Sequence, residues 1–226
     1  LEGLNFVADN YLMDDACMPY IALDGTCTDS NKICFDNAGE GGGSRVADFG
    51  KMTKWSVKDV STITEFFEQP TTTLTPEEQQ QIIDKNTANM LDALQSGPIV
   101  CGISVPDDLL DWKGTAIYTN PVKDYYVHDI SVVGYDKTST PPHWIVRNSW
   151  GEFWGYNGFW NVEMGKGILG IELLCRNFTP YIKTDPSQVA NPILKKAWQD
   201  NIKPKPSSEV TVKLAEKRLL KGEENL

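Results

Sequence analysis

Histidine is nearly absent from this chain, which has two, His128 and His143, among 226 residues. Metal sites built from cysteine and histidine need several such ligands at close spacing, and the five cysteines include no CxxC pair. The sequence therefore predicts no metal site, and no cofactor is expected.

Basic residues are also scarce, because 21 Lys and Arg stand against 31 Asp and Glu, for a net charge of -10. Binding to phosphate backbones needs a basic surface, so nucleic acid is not expected as a partner. No apolar run is long enough to span a bilayer, so no membrane span is expected. With 40% hydrophobic residues, the chain can bury a sizeable core in one large domain or two small ones.

The most informative stretch that is present is HWIVRNSWGEFWGYNGFW, residues 143–160. A strand-like run ends at Asn148, and glycines at positions 151, 155 and 158 then punctuate an aromatic-rich loop. Twenty residues upstream of Asn148 lies His128. An imidazole and an amide that orients it form a known general-base arrangement, and two histidines leave few alternatives to this pairing.

Several motifs follow His128 in a fixed order: Gly134-Tyr135, HWIVRNSWG, Trp154-Gly155 and Gly158-Phe159. This order resembles the His and Asn region of the papain-like cysteine proteases, most closely that of cathepsin X, also called cathepsin Z. The resemblance extends to GPIVCGI at 97–103 and to the cysteines at 17, 27 and 34, and it covers roughly residues 1–180.

The resemblance implies an α+β, papain-like fold with two subdomains and a C-terminal tail. Residues 1–52 are expected to be the remnant of the helical subdomain, residues 53–182 the subdomain with an antiparallel β-barrel, and residues 183–226 a charged extension. Apolar spacing predicts a helix within residues 1–13, and the TPEE capping box predicts another over about residues 75–94. Strands are predicted at 55–67 (with a turn), 99–105, 129–135, 143–147 and 159–164.

In the resembled mechanism, His128 takes the proton of a cysteine thiol and Asn148 orients the imidazole. Trp150 is expected to shield their hydrogen bond from water, and Trp154 to flank the leaving-group side of the cleft. His143 is expected to be structural.

Three further site expectations concern neighbouring residues. Leu174 is expected to form the floor of the pocket for the substrate side chain two residues before the scissile bond. Val127 and Asp129 depart from the residues that the family commonly has beside its histidine. If the strand has begun at His128, the Asp129 side chain points to the opposite face; if it has not, the carboxylate lies beside the imidazole and raises its pKa.

No CGSCW-type nucleophile segment occurs in the chain. The chain is therefore expected to be the larger, C-terminal portion of a papain-like enzyme, with the nucleophile on a segment or light chain upstream of Leu1.

Five cysteines cannot all pair within the chain, and their spacing alone leaves the connectivity open. The resemblance implies the bridges Cys17–Cys34 and Cys101–Cys175, with Cys27 linked to a cysteine upstream of Leu1. The sequon at Asn177 is a candidate glycosylation site, and together with the cysteines it favours a lysosomal, vacuolar or extracellular location.

The sequence therefore predicts a cysteine peptidase that acts on peptide or protein substrates, with cathepsin X-like carboxypeptidase action implied by the resemblance. The alternative is a catalytically inactive homologue that serves as an interaction scaffold. Residues 183–226, with 9 Lys or Arg against 6 Asp or Glu, would then dock on an unknown partner. Two short helices are expected in this extension, at 187–201 and 209–221.

Overall fold

A computed structural model describes residues 2–13, 53–67, 73–121 and 127–202. The longer elements in chain order are α1 (Glu2–Asp9), β1 (Trp55–Thr62), α2 (Pro76–Ala93), β2 (Ile99–Ile103), α3 (Asp107–Leu110), β3 (Ile117–Tyr118), β4 (His128–Asp136), β5 (His143–Arg147), β6 (Phe159–Glu163), β7 (Cys175–Ile182) and α4 (Pro192–Ile202). The predicted strands and the first two predicted helices match these elements within a few residues. No helix in this part of the chain is long and apolar enough to cross a membrane.

Helix α2 begins where the capping box predicts. The Thr75 side chain accepts a hydrogen bond from the backbone N–H of Glu78, and the Glu78 side chain accepts one from the backbone N–H of Thr75. Pro76 occupies the first helical turn, where no backbone donor is required. The inward face of α2 buries Ile83 and Met90, so the helix is held by its packing as well as by its cap.

The seven strands form one sheet in the order β1-β7-β2-β4-β5-β6-β3. Strands β2, β4, β5 and β6 pair antiparallel in succession, and β7 pairs antiparallel with β2. The β3–β6 pair is parallel, which differs from the predicted all-antiparallel arrangement. A parallel pair needs a long crossover connection, and β4 and β5 lie between these two strands in the chain. The predicted α+β class is confirmed.

The described residues divide into two compact units, one within residues 58–179 and one made of residues 2–13, 53–57 and 180–202. In the first unit, β2 and β5 bury most of their side chains and supply the centre of the core, with Trp144 and Val146 fully covered. Cys101 on β2 and Cys175 on β7 form a disulfide between paired positions, with their Cα atoms 4.1 Å apart. Cys17, Cys27 and Cys34 lie outside the described residues.

In the second unit, the beginning of the C-terminal extension is a folded part of the molecule. Trp198 on α4 is 4% exposed and meets the Tyr11 ring edge to face at 5.4 Å. Asn191 caps α4 through its side chain, and its backbone N–H donates to Asn10 Oδ1. Helix α4 corresponds to the helix expected at 187–201 and starts at Pro192 because proline suits the first helical turn. The helix expected at 209–221 lies outside the described residues, and the division of the chain at 52 and 182 stays a prediction.

Candidate active site

His128 and Asn148 are joined by a hydrogen bond of 2.8 Å between His128 Nε2 and Asn148 Oδ1. His128 opens β4 and Asn148 directly follows β5, and the antiparallel pairing of these strands brings the start of one to the end of the other. An amide oxygen carries no hydrogen and can only accept, so Nε2 holds the ring proton. In the neutral imidazole the other ring nitrogen, Nδ1, then carries the lone pair that can act as a base.

The amide of Asn148 is held in its orientation. Its Oδ1 also accepts from the backbone N–H of Ser149 at 2.8 Å, and its own backbone N–H donates to the Gly158 carbonyl at 2.9 Å. The residue is 8% exposed. Two donors converge on Oδ1 of this buried amide, where a low local dielectric strengthens both hydrogen bonds and so restrains the imidazole.

Trp150 covers the imidazole. The two rings stack with their centroids 4.8 Å apart and an interplanar angle of 29°. Trp154 meets Trp150 edge to face at 5.1 Å, is 5% exposed, and donates from its indole N–H to the Leu109 carbonyl at 3.0 Å. Trp154 therefore lies behind Trp150 and supports it from the core. Its expected position beside a leaving group stays a prediction, and its burial leaves little surface for contact with a ligand.

The glycines of the loop allow this aromatic arrangement. Gly155 has φ 61°, and a Cβ there would lie 2.4 Å from the Phe159 carbonyl oxygen. No other residue fits this position without moving the backbone. The glycine spacing noted in the sequence thus has a steric cause in the loop that carries Trp150 and Trp154.

Strand β4 has already begun at His128, so Asp129 projects to the opposite face of the strand. Its carboxylate is exposed and lines a cleft of about 400 Å³. The wall of this cleft includes Asn148, so it adjoins the His–Asn pair from the other side of β4. Of the two arrangements left open by the sequence, the structure has the one in which the Asp129 side chain points away from the imidazole.

Leu174 lies beside Gly102. The Gly102 backbone N–H donates to the Leu174 carbonyl at 2.9 Å, and a Cβ on Gly102 would be 2.9 Å from Leu174 Cδ2. Gly102 also pairs with Asp129 across β2 and β4. The role of Leu174 in a substrate pocket stays a prediction, but its side chain does lie one strand away from the residue that follows His128.

His143 is 8% exposed and begins β5, at the opposite end of that strand from Asn148. Five residues of extended chain separate the two by about 17 Å, which leaves His143 outside the site. Asn177 is half-buried, and its side-chain oxygen accepts from the Phe178 backbone N–H at 2.9 Å. Its glycosylation stays a prediction.

Glu172 is an ionisable residue that the sequence reasoning missed. Its side chain is fully buried, and Oε1 accepts from the Trp144 indole N–H at 2.7 Å and from the Gly165 backbone N–H at 2.9 Å. Burial raises the pKa of this carboxyl to about 7, against the lowering effect of these hydrogen bonds. A glutamate inside the apolar run ILGIELLC was the available signal. Within the described ranges, no group of acidic, histidine or cysteine side chains is arranged to hold a metal ion.

The chain is similar in sequence to known cysteine proteases. The sequence profile of the papain family cysteine proteases matches residues 2–175. Human cathepsin O is 50% identical over 44 residues, which cover 20% of this chain and 14% of that protein. Cathepsin C of Schistosoma mansoni is 33% identical over 103 residues, which cover 41% of this chain and 23% of that protein. The matched stretches thus span well under half the length of these relatives.

Solved structures agree on the fold. The bromelain protease of Ananas comosus, in complex with the E64 inhibitor, superposes with a TM-score of 0.52 at 19% identity, covering 78% of this chain and 66% of that chain. Procathepsin L2 of Tenebrio molitor gives a TM-score of 0.53 at 18% identity, covering 79% of this chain and 46% of that chain. At these identities the similarity concerns the fold alone.

Proposed function

Because this chain belongs to the papain family of cysteine proteases, we propose that it supplies His128 and Asn148 to a Cys-His-Asn peptidase site. The observation that carries the proposal is the 2.8 Å hydrogen bond from His128 Nε2 to Asn148 Oδ1 beneath the Trp150 ring. The nucleophilic cysteine would come from a segment or light chain upstream of Leu1. Cys27, outside the described residues, is the candidate for a disulfide to that segment.

The geometry suits general-base activation of a thiol. With Nε2 protonated and held by Asn148, His128 Nδ1 is the nitrogen that can take the thiol proton. The resulting thiolate attacks the scissile carbonyl, and the imidazolium then gives its proton to the leaving amine, so that an acyl-enzyme forms. Water, activated by the same nitrogen, attacks the thioester and releases the acid. Asn148 keeps the ring in one orientation throughout, and Trp150 keeps water from competing for the hydrogen bond.

We further propose that the enzyme acts as a cathepsin X-like carboxypeptidase. The sequence resemblance in the His and Asn region supports this activity. The curated relatives named above are cathepsins O and C, and the residues that restrict such an enzyme to the carboxyl terminus would lie near the nucleophile. Leu174 is proposed as an apolar contact for the substrate side chain two positions before the scissile bond.

A lysosomal, vacuolar or extracellular location is proposed for this protein. The Cys101–Cys175 disulfide supports an oxidising compartment. The raised pKa of buried Glu172 supports an acidic one, because the fold is then more stable with that carboxyl protonated. Glycosylation at Asn177 would agree with the same route.

Labelling with an epoxide inhibitor of cysteine proteases tests the proposal against the non-catalytic alternative. The protein is prepared with whatever segment precedes Leu1 in the cell, and its intact mass is measured before and after labelling and with and without reduction. A peptidase gains one inhibitor mass on a cysteine of that segment. An unlabelled protein that cleaves no peptide would sink the enzymatic proposal and leave the scaffold alternative.

The Asn148→Ala variant tests the orienting role. We expect the rate of peptide cleavage to fall about 10- to 100-fold because the imidazole loses its fixed orientation. Asn161→Ala is the matched control, since Asn161 lies on β6 and bonds to the Thr115 carbonyl, and it should retain activity. Equal rates for the two variants would refute the role given to Asn148.

A further inference from the structure

The cleft behind His128 contains a carboxylate in an unusual setting. Asp129 follows the catalytic histidine, pairs with Gly102 across β2 and β4, and is exposed on the face of the sheet opposite to the imidazole. The point where a Gly102 Cβ would lie is 2.9 Å from Leu174 Cδ2 and 3.7 Å from Asp129 Oδ1. The Leu174 side chain and the Asp129 carboxylate therefore both border the space that a side chain at position 102 would fill.

Among the described residues, no Lys or Arg lies within ion-pair distance of the Asp129 carboxylate, although Arg147 lines the same cleft. The two charged residues lie in different rows, where a row is a set of residues paired across neighbouring strands. Arg147 pairs with Ser131, and Asp129 pairs with Gly102. Because Ser131 and Asp129 are two residues apart on β4, the two rows are separated by about 7 Å.

The second arginine of this face belongs to the same row as Arg147. Arg176 pairs with Val100, and Val100 pairs with Ser131, so the two arginines flank one row while the carboxylate occupies the next. A group that lies over Gly102 and Leu174 therefore lies in the same row as the Asp129 carboxylate, and a cation there gains Coulomb attraction to that carboxylate.

We propose that Asp129 determines substrate specificity by binding the cationic end of a lysine or arginine side chain whose aliphatic stem lies on Leu174. The inference rests on the proposed peptidase function and refines its apolar pocket. Lysine and arginine stems pack on apolar surface while their charged ends reach a polar rim. Leu174, half-buried, provides that surface, and Asp129, exposed at the rim, provides the acceptor. Because Asp129 is adjacent in sequence to His128, the bound side chain belongs to a residue close to the scissile bond.

Two fluorogenic peptides that differ only in charge test this inference. One carries arginine and the other citrulline, its neutral isostere, at the second position before the scissile bond. We expect the protein to prefer arginine in kcat/KM by about tenfold, as a charge-assisted hydrogen bond at a partly exposed site would give. Since the pair is accessible to solvent, the preference should shrink as salt is raised.

Three variants locate the effect. Asp129→Asn should bring the arginine-to-citrulline ratio close to one, whereas Asp129→Glu should retain most of the preference. Asp92→Asn, an exposed aspartate on α2, is the matched control and should keep the parent ratio.

A parent enzyme that cleaves both peptides equally, or an Asp129→Asn variant that still prefers arginine, would overturn the inference while leaving the peptidase function intact. A protein that cleaves neither peptide and takes up no epoxide label would overturn the peptidase function, and the inference with it.

Discussion

Replacement of Glu172 by glutamine should change how the stability of this protein depends on pH. Glu172 is fully buried, and while its Oε1 accepts two hydrogen bonds, its Oε2 has no partner. Burial raises the pKa of the carboxyl in the folded protein from its ordinary value of 4.5 to about 7. The folded chain therefore holds this proton more tightly than the unfolded chain does.

The sign and the size of the effect follow by linkage. A raised pKa contributes stability that is fully present below the unfolded value of 4.5 and is lost as the pH rises through about 7. At 1.36 kcal/mol per pH unit between the two pKa values, the loss amounts to about 3 kcal/mol. Glutamine keeps the Oε1 acceptor for Trp144 and Gly165 and does not ionise in this range, so the variant should lose this part of the pH dependence.

The measurement is the free energy of unfolding in urea at several pH values between about 4 and 8. Other carboxyls also titrate there, so the informative quantity is the difference between parent and variant at each pH. We expect the free energy of unfolding of Glu172→Gln, relative to that of the parent, to rise by about 3 kcal/mol from pH 4 to pH 8. The variant should therefore be the more stable protein near pH 8.

Glu152→Gln serves as the matched control, because Glu152 is exposed in the loop after Gly151. Its free energy of unfolding should depend on pH as that of the parent does. The same pH dependence in Glu172→Gln would refute the reasoning, because the buried carboxyl would then not bind its proton more tightly in the folded state.

Two further changes test the packing of each unit. Replacement of both Cys101 and Cys175 by alanine removes a cross-link between residues 74 apart, which should lower the free energy of unfolding by about 4 kcal/mol on the chain-entropy estimate; an unchanged urea midpoint would show that the bridge does not constrain the unfolded chain. Trp198→Ala should destabilise the second unit by about 3 kcal/mol or more because a buried ring against Tyr11 is lost. Limited proteolysis should then cut the C-terminal extension faster, and an unchanged cleavage pattern would contradict the integral position that we give to α4.

Much of the fold could be predicted because its signals are local. Thr75, Pro76 and Glu78 specify the start of α2 through contacts within one turn, and alternation or continuous apolar runs mark the strands of the first unit. The pairing of His128 with Asn148 was also predictable, because the order of motifs around the two residues is long and specific. The parallel β3–β6 pair was missed, since β3 has two residues and no local signal states its partner.

Features that depend on distant parts of the chain were not predictable in the same way. Glu172 has a raised pKa because it is buried, and its hydrogen-bond partner Trp144 lies 28 residues away in sequence. Trp154 is buried through contacts with Leu109 and Trp160, which come from other elements of the fold. The sequence predicts a charged tail for the extension. The burial of Trp198 within it depends on contact with Tyr11, which lies near the other end of the chain.

The sequence by itself determined the family, helix α2, most strands of the first unit and the identity of the His–Asn pair, because caps, periodicity and ordered motifs act over a few residues. Only the tertiary structure decided which groups share an environment. It set the Asp129 carboxylate and the Leu174 side chain beside Gly102, stacked Trp150 on His128, buried Glu172 and folded α4 back onto the first residues. Burial and electrostatic field are properties of neighbours in space, and strand register, rather than sequence distance, selects those neighbours.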